Sequence, residues 1–494
     1  VLAERAFTGH EQQGQHSAAV GADGPAVEIS RQDLKAALVD KFDSGKKAEE
    51  IITYIQHRAG LLVDKGEGVF TFPHRTYQEF LAAQYLLSQS DGFEQLCHRL
   101  KKQPDWWREV FLLSAGSSMT VPKNVQDLLN TLLPFEPGTR EMPLTPEVTT
   151  WVLIAAQTLE ETNFKRSVEQ EKTPGGFTAV YRRVQSWLKT ALVAETVLPP
   201  KARAEVGQWL ARLGDDRPGV GIVEQNGVKL PNIVWSKEIP AVTYTIGDDK
   251  STYIDEKPRQ VSIQRPYRLA RYPITNAQFQ CFVDAPDKDD QEWWQGIPDD
   301  ERKFSDPQFP YANHPCERVS WYQALAFCRW MTKKLRDGLL PAGPLTGDMT
   351  QYTITLPHEF EWEVAARWPN RDVQQRIYPW GPEFDVAKAN TGEGDSVGQT
   401  TAVGMYPSGK NVALDLYDLS GNVFEWCRNE NGKPDSNLEP EIVNINTNSR
   451  VLRGGSWYYY QHYARAAARL NFVPDNRYGF RVVVVRFSPS HQGH

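Results

Sequence analysis

The stretch Arg453-Gly454-Gly455-Ser456-Trp457 is followed by Tyr458-Tyr459-Tyr460, by Ala464-Arg465-Ala466-Ala467-Ala468-Arg469, and by Pro474-Asp475-Asn476-Arg477-Tyr478-Gly479-Phe480-Arg481. It has the shape of an active-site or recognition segment. Tyrosine offers large amphipathic area with little rotamer entropy to lose, so such a run reads as a surface for holding a ligand. A three-tyrosine run can bury only alternate rings, which leaves at least one facing out; the competing reading makes them half-buried strand residues. Covalent chemistry is harder to place. The five cysteines, Cys97, Cys281, Cys316, Cys328 and Cys427, are scattered and never form a Cys-x-x-Cys pair, which disfavours a disulfide framework and a zinc site. His314 and the pair His358-Glu359 are the remaining acid–base candidates, and core or capping roles are expected of them. No Gly-x-x-x-x-Gly-Lys-Ser/Thr loop occurs, since Ser44-Gly45-Lys46-Lys47 lacks the preceding glycine and strand; nothing here can cradle phosphates.

The elements that position these groups must belong to more than one core, because 494 residues exceed what a single domain sustains. A net charge of -7 with pI near 5.9 argues against nucleic acid as an obligatory partner. The mean hydropathy of -0.53 describes a soluble globular chain, and no apolar run approaches the roughly 20 residues a bilayer span needs, so no membrane partner is expected. Unpaired cysteines fit a reduced, cytoplasmic setting. Val1 to His10 reads as the end of a helix without a signal layout, so the chain is expected to begin inside a longer protein.

Residues 1–218 read as mainly helical. After a Gly/Ala-rich loop, Gly14 to Ala26, Ser30 is a good N-cap for a helix through Val39. Ala48 to Ala59 repeats Ile51, Ile52 and Ile55 at helical spacing, and a hairpin follows: Leu61-Leu62-Val63, a turn at Asp64-Lys65-Gly66-Glu67-Gly68, then Val69-Phe70-Thr71-Phe72. Helices followed by a hairpin suggest a winged-helix unit over 1–95, with a helical region over 96–218. Asp215-Asp216-Arg217-Pro218-Gly219 marks a composition change, and 219–234 reads as a linker. Beyond it, a Trp-, Tyr- and Pro-rich domain over 235–488 should be mixed α+β, with the ligand segment at 451–481.

The sequence Phe70-Thr71-Phe72-Pro73-His74-Arg75-Thr76-Tyr77-Gln78-Glu79-Phe80-Leu81-Ala82-Ala83 resembles the winged-helix end of NACHT-type (STAND) signalling NTPases. The resemblance implies that His74 touches the phosphate of bound ADP and acts as a nucleotide sensor; the alternative is that it ties the hairpin to the next helix by hydrogen bonds. ADP or ATP enters only if an upstream NACHT core is present.

A second resemblance covers about 250 residues. Its blocks are Tyr267-Arg268-Leu269-Ala270-Arg271-Tyr272-Pro273-Ile274-Thr275-Asn276, His314-Pro315 with Val319-Ser320-Trp321, Leu356-Pro357-His358-Glu359-Phe360-Glu361-Trp362-Glu363, Tyr378-Pro379-Trp380-Gly381, Asp415-Leu416-Tyr417-Asp418-Leu419-Ser420-Gly421-Asn422-Val423-Phe424-Glu425-Trp426, and the 453–481 segment. They resemble the formylglycine-generating-enzyme (sulfatase-modifying factor) family, a variant of the C-type lectin fold. The implied fold is therefore α+β, an N-terminal winged-helix and helical array followed by a C-type lectin-like domain. Locally, Ser320 can cap a helix with Ala324, Leu325, Phe327, Cys328 and Met331 on one stripe, and Pro357 suits a first helical turn. The paired glycines 454 and 455 permit a bend, and Phe480 to Val485 reads as a buried closing strand.

By resemblance, Asp418, Gly421, Val423 and Glu425 form a Ca²⁺ site, two carboxylates and two backbone carbonyls around a hard cation. Asn390 and Asp395 supply part of a second site or form solvated turns. Family catalysis oxidises a substrate cysteine with copper held by two cysteines. The matching positions here are Gln461 and Ala466, and neither an amide nor a methyl can do thiolate work. The iron-dependent sulfoxide synthases of the same fold need a histidine triad that His57, His74 and His98 do not reproduce. No catalysis is expected; the alternative is a thiol oxidase with other ligands.

Finally, Tyr458, Tyr459, Tyr460, His462, Tyr463, Ala468, Leu470, Asn471 and Phe472 stand in a frame of residues that look fixed. Random replacement of adenines in an Asn codon yields Asn, Tyr, His, Asp, Ser, Phe, Leu, Val or Ala among others, and the interleaved residues fall almost wholly within that set. The pattern resembles the variable protein of a diversity-generating retroelement. It implies a sensor whose ligand, an unknown protein or small molecule, docks on these residues and Tyr478 and releases the upstream nucleotide switch.

Overall fold

Ser30 closes a short strand and opens a helix: its hydroxyl accepts the Asp33 N–H at 3.1 Å, capping the helix Arg31–Phe42. The computed structural model describes residues 28–55, 62–248, 257–369, 376–440, 443–475 and 477–487. The readings made for Val1 to His10, Gly14 to Ala26, His57 and the end of the Ala48 to Ala59 helix lie outside the described residues. The chain divides into two compact units, Val1–Trp187 and Leu188–His494.

In the first unit a second helix, Gly45–Tyr54, starts one turn earlier than its isoleucine spacing predicts because Ser44 caps it. Strands β1 (Glu28–Ser30), β2 (Val63–Gly66) and β3 (Val69–Thr71) then form one antiparallel sheet in the order β1-β3-β2. The hairpin is as expected. The third strand is not, and it is held by the pairing of Ile29 with Phe70, both buried. This is a winged-helix domain. The helices Arg75–Leu87, Gly92–Lys102, Pro104–Ser118, Pro122–Leu132 and Pro146–Glu161 follow, and Trp107, Val110, Phe111, Leu128 and Val152 fill their core. No described helix is long and apolar enough to cross a membrane.

The second unit begins earlier than the composition change suggests. The helix Pro200–Leu213 belongs to it: Asn313 Nδ2 donates to Gly207 O at 3.0 Å, and buried Arg203 donates to Met405 O while stacking on Tyr406. Nor is 219–234 a linker. It holds the hairpin β4 (Ile222–Gln225) and β5 (Val228–Pro231), turned at Asn226-Gly227 with φ of 54° and 76°, the two positive-φ positions that a tight hairpin turn demands.

Beyond it, β6 (Thr243–Ile246) pairs with β7 (Arg259–Ser262). One three-stranded sheet orders β8 (Tyr267–Leu269), β13 (Val483–Arg486) and β9 (Tyr352–Thr355) with β13 central; another orders β10 (Glu425–Glu430), β11 (Arg450–Arg453) and β12 (Leu470–Phe472). Both margins of the first sheet are covered. Thr332 Oγ1 accepts the Ile354 N–H at 2.9 Å and Arg336 donates to Tyr352 O at 3.0 Å on one side; Ile239 exchanges backbone bonds with Tyr267 on the other.

The helix Trp321–Arg336 carries a full capping box from Ser320 and Gln323 and buries Ala324, Leu325, Phe327, Cys328 and Met331, as its spacing predicts. Pro357 lies just outside the helix Glu359–Ala366 rather than in its first turn, because His358 is the N-cap.

Candidate functional site

The frame of the 451–481 segment is built from buried arginines. Arg453, fully buried at the end of β11, donates to Glu359 Oε2 at 2.8 Å, pairs with Glu363 at 3.1 Å, and reaches Ala466 O at 3.2 Å. Arg469 grips Glu359 with two bonds of 3.0 Å, and Arg465 pairs with Asp248. Arg481 donates to both oxygens of Glu425 and to the carbonyls of Ala270, Arg271 and Tyr417. Bidentate guanidinium–carboxylate pairs fix orientation as well as position.

Between these anchors the chain makes a tight excursion. Gly454 and Gly455 take φ of 96° and 75°, and a Cβ on Gly455 would sit 3.1 Å from the Ala464 backbone. Trp457 N–H bonds Asn422 O at 3.1 Å, and Ser420 Oγ bonds Ala464 O at 2.7 Å, which stitches both ends of the excursion to one loop.

The rings on it alternate, in a turn and not in a strand. Tyr458 and Tyr460 are 70% and 57% exposed. Tyr459 is half-buried, edge-on to Phe424 at 5.1 Å, and Tyr463 packs on Tyr459 at 4.9 Å with His462 against it at 4.3 Å. Phe472 and Tyr478, 5.1 Å apart, and Leu470 are likewise half-buried over the core, Asn471 is exposed, and Ala468 is buried. Of the ten expected contact residues, only Tyr458, Tyr460 and Asn471 are therefore exposed. The reason is that Phe424 and Trp426 offer apolar area that Tyr459, Tyr463 and Tyr478 cover.

The residues of the calcium reading each have partners within the protein. Glu425 is fully buried and spent on Arg481 and on the Trp362 indole N–H at 2.7 Å. Asp418 accepts the Gly404 N–H at 2.7 Å, and Asp395 is an exposed partner of Lys201. Asn390 does meet Gly421 through a backbone bridge, and its amide donates to Gln399 O at 2.9 Å. Gly421 and Val423 keep their places in that loop; Asp418 uses one carboxylate oxygen on Gly404, and Glu425 uses both of its oxygens on Arg481. Among the described residues no group of three or more His, Cys, Asp or Glu could hold a metal ion.

Nor is there a thiolate. Gln461 is exposed, its N–H bonded to Glu393 Oε1 at 3.1 Å, and Ala466 is fully buried. All five cysteines are buried and free; burial pushes the Cys97 and Cys281 thiols up to about 12 and raises Cys316, Cys328 and Cys427 as well. His358 caps its helix through Nδ1, which accepts the Phe360 N–H at 3.2 Å, and burial lowers its imidazole to about 3. His314, whose Nδ1 lies 2.9 Å from Thr400 Oγ1, is lowered to about 3 by the same cause. Both stay neutral. Glu361 pairs with Arg428 at 2.6 Å. In the first unit His74 is the exposed N-cap of Arg75–Leu87 and makes no capping bond with its side chain.

Sequence spacing missed the loop 377–384, whose Ile377 O accepts the Ala466 N–H at 2.8 Å and whose Tyr378 Oη donates to Gln461 O at 3.3 Å. The Tyr-Pro-Trp-Gly block was its only signal.

The lectin-like scaffold, with its small sheets and arginine-anchored excursion, has known relatives. Residues 223–486 match the family described as the sulfatase-modifying factor enzyme 1-like domain, and the chain belongs to that family. Residues 22–86 match the winged helix-turn-helix domain C-terminal to NACHT. The serine/threonine-protein kinase Pkn1 of Chlamydia trachomatis serovar L2 is 32% identical over 233 residues, which cover 42% of this chain and 32% of the kinase; the chain thus spans about a third of the curated relatives it matches first. The formylglycine-generating enzyme of Thermomonospora curvata is 26% identical over 48% of this chain and 88% of its own, and the inactive C-alpha-formylglycine-generating enzyme 2 of Mus musculus is 26% identical over 49% and 83%. Relatives thus include enzymes and inactive proteins. Among solved structures, Treponema denticola variable protein 1 is 24% identical, covers 54% of this chain and 98% of its own, and gives a TM-score of 0.36.

Proposed function

We propose that this chain is a recognition module without enzymatic activity, the sensor end of a NACHT-type signalling protein whose ligand docks on a diversified aromatic tip. One observation carries the reading: Tyr458 and Tyr460 stand 70% and 57% exposed on a turn whose neighbours on both sides are locked by buried arginine–carboxylate pairs. Exposed tyrosines on a rigid mount are the composition of a binding surface, while Gln461 and Ala466 hold the positions where the family's enzymes carry sulfur. The match of residues 22–86 supports an upstream NACHT core, with exposed His74 as the residue that would report its nucleotide.

The test is a panel of chains randomised at 458, 460 and 471. Each should melt within a few degrees of the parent, since exposed substitutions shift stability by about 0.5 kcal/mol or less, and each should select different binders from one display library. Binders shared by the whole panel would sink the proposal, as would turnover of a Cys-x-Pro-x-Arg peptide by the parent chain with added copper or iron.

A further inference from the structure

We infer that the second unit carries a binding site besides the 451–481 segment, a cleft beside the helix Trp321–Arg336, and that it takes a small organic anion with an apolar body. The cleft has a volume of about 1050 Å³, at the upper end of the roughly 300–1,000 Å³ of small-molecule sites. None of its lining residues belongs to the 451–481 segment. One wall is a single face of the helix, along which Leu325, Arg329, Lys333 and Arg336 recur every three or four residues. The rest of the lining includes Thr353 and Ile354 of β9, with Val443 and Phe487.

Arg329 gives the cleft its preference for charge. Its Nη1 donates to Trp293 O and Gln295 O, each at 2.9 Å, so the half-buried guanidinium is fixed by neutral acceptors. Its other edge, Nε and Nη2, makes no hydrogen bond among the described residues, and both atoms stay open to solvent. That edge carries two parallel N–H groups, the fork that grips a carboxylate or a phosphate with two bonds at once. Burial also pushes the guanidinium below its ordinary value, since water is lost there and no carboxylate among the described residues pairs with it instead. The carboxylates of the cleft have other partners. Glu439 pairs with Arg265 at 2.6 Å, and Asp348 accepts the Thr350 N–H and hydroxyl at 2.9 and 2.7 Å. Glu292 acts on Lys333, whose ammonium is raised first by its bond to Asp337 and then by Glu292.

The same cleft offers apolar area from Leu325, Ile354, Val443 and Phe487, and covering such area is worth about 25 cal/mol per Å². A bare inorganic anion leaves those side chains wet. A neutral apolar molecule leaves the Arg329 edge without an acceptor. The ligand that uses both joins an oxyanion to an aryl or alkyl group.

Phenylbutyrate and naphthyl phosphate are titrated into the full chain by calorimetry, beside phenylbutanol and inorganic phosphate. Each aryl anion should bind at least about tenfold tighter than both controls, and the titration should shift the methyl resonances of Ile354 and Val443. Arg329→Gln should weaken the aryl anions by about tenfold or more and leave phenylbutanol unchanged. Aryl anions that bind more weakly than about 10 mM overturn the inference, as do aryl anions no tighter than phenylbutanol, or shifts confined to methyls outside the cleft. Inorganic phosphate as tight as naphthyl phosphate overturns the apolar body. Retention of binding within about twofold in Arg329→Gln takes the arginine out of the site and overturns the inference too. If that variant melts lower than the parent, Arg329→Lys, which keeps a charge and a donor for the two carbonyls but lacks the paired edge, decides by the same criteria.

Discussion

Trp457 to Tyr463 and the frame on either side of it are consecutive in the chain yet held by opposite means. The frame is charge buried in protein: Arg453, Glu359 and Glu363 have no exposed surface. The excursion is aromatic surface half in water, kept in place by ring edges and a few backbone bonds. A scaffold that puts its energy into the frame can change the excursion at little cost. The difference teaches that the buried arginines set the position of the segment, while the exposed rings of Tyr458 and Tyr460 contribute little to it.

Removing a frame charge should break this contrast most severely. Arg453→Ala takes a buried guanidinium from Glu359, which keeps Arg469, and from Glu363, which keeps Arg367, and should cost about 3–5 kcal/mol, read by urea unfolding; a loss below 1 kcal/mol would mean that the pairs are not what holds the segment. Next comes the backbone. Gly455→Ala forces a side chain into φ of 75° against Ala464, with an expected cost of about 1–3 kcal/mol. Third, Tyr459→Ala removes a ring packed on Phe424 and should cost roughly 1–2 kcal/mol, where Tyr458→Ala, fourth and smallest, stays within about 0.5 kcal/mol. Equal effects for the two tyrosines would erase the distinction between packed and offered rings.

One prediction sharpens the electrostatic side. Burial raises the Asp418 carboxyl to about 6, against an ordinary value of 3.8. A carboxyl raised in the folded state stabilises below its unfolded value, and that stabilisation is lost as pH climbs through about 6. Asp418→Asn should therefore melt higher than the parent at pH 7 and match it near pH 4; thermal melts at both values check the sign.

Local devices were legible in the sequence and distant pairings were not. The caps at Ser30 and Ser320 are written within three residues of their partners. The turn at Asn226-Gly227 is equally local, but the Asp/Pro/Gly run before it carries the same turn-forming residues as a linker does. Nothing in the loop of Glu425 shows that Arg481, 56 residues on, takes both its oxygens. Likewise Asp248 lies 217 residues from Arg465, a separation over which spacing carries no information. The alternation of Tyr458 to Tyr460 was legible; which of them packs depended on Phe424.

Both margins of the β8-β13-β9 sheet are occupied, by Thr332 and Arg336 on one side and by Ile239 on the other. An open strand edge is a template for adding further chains. A body with a bare edge would be open to such additions whatever residues its surface carries. Because that sheet offers no bare edge to template assembly, the protein can carry exposed rings such as Tyr458 and Tyr460 at less risk of growing into fibres.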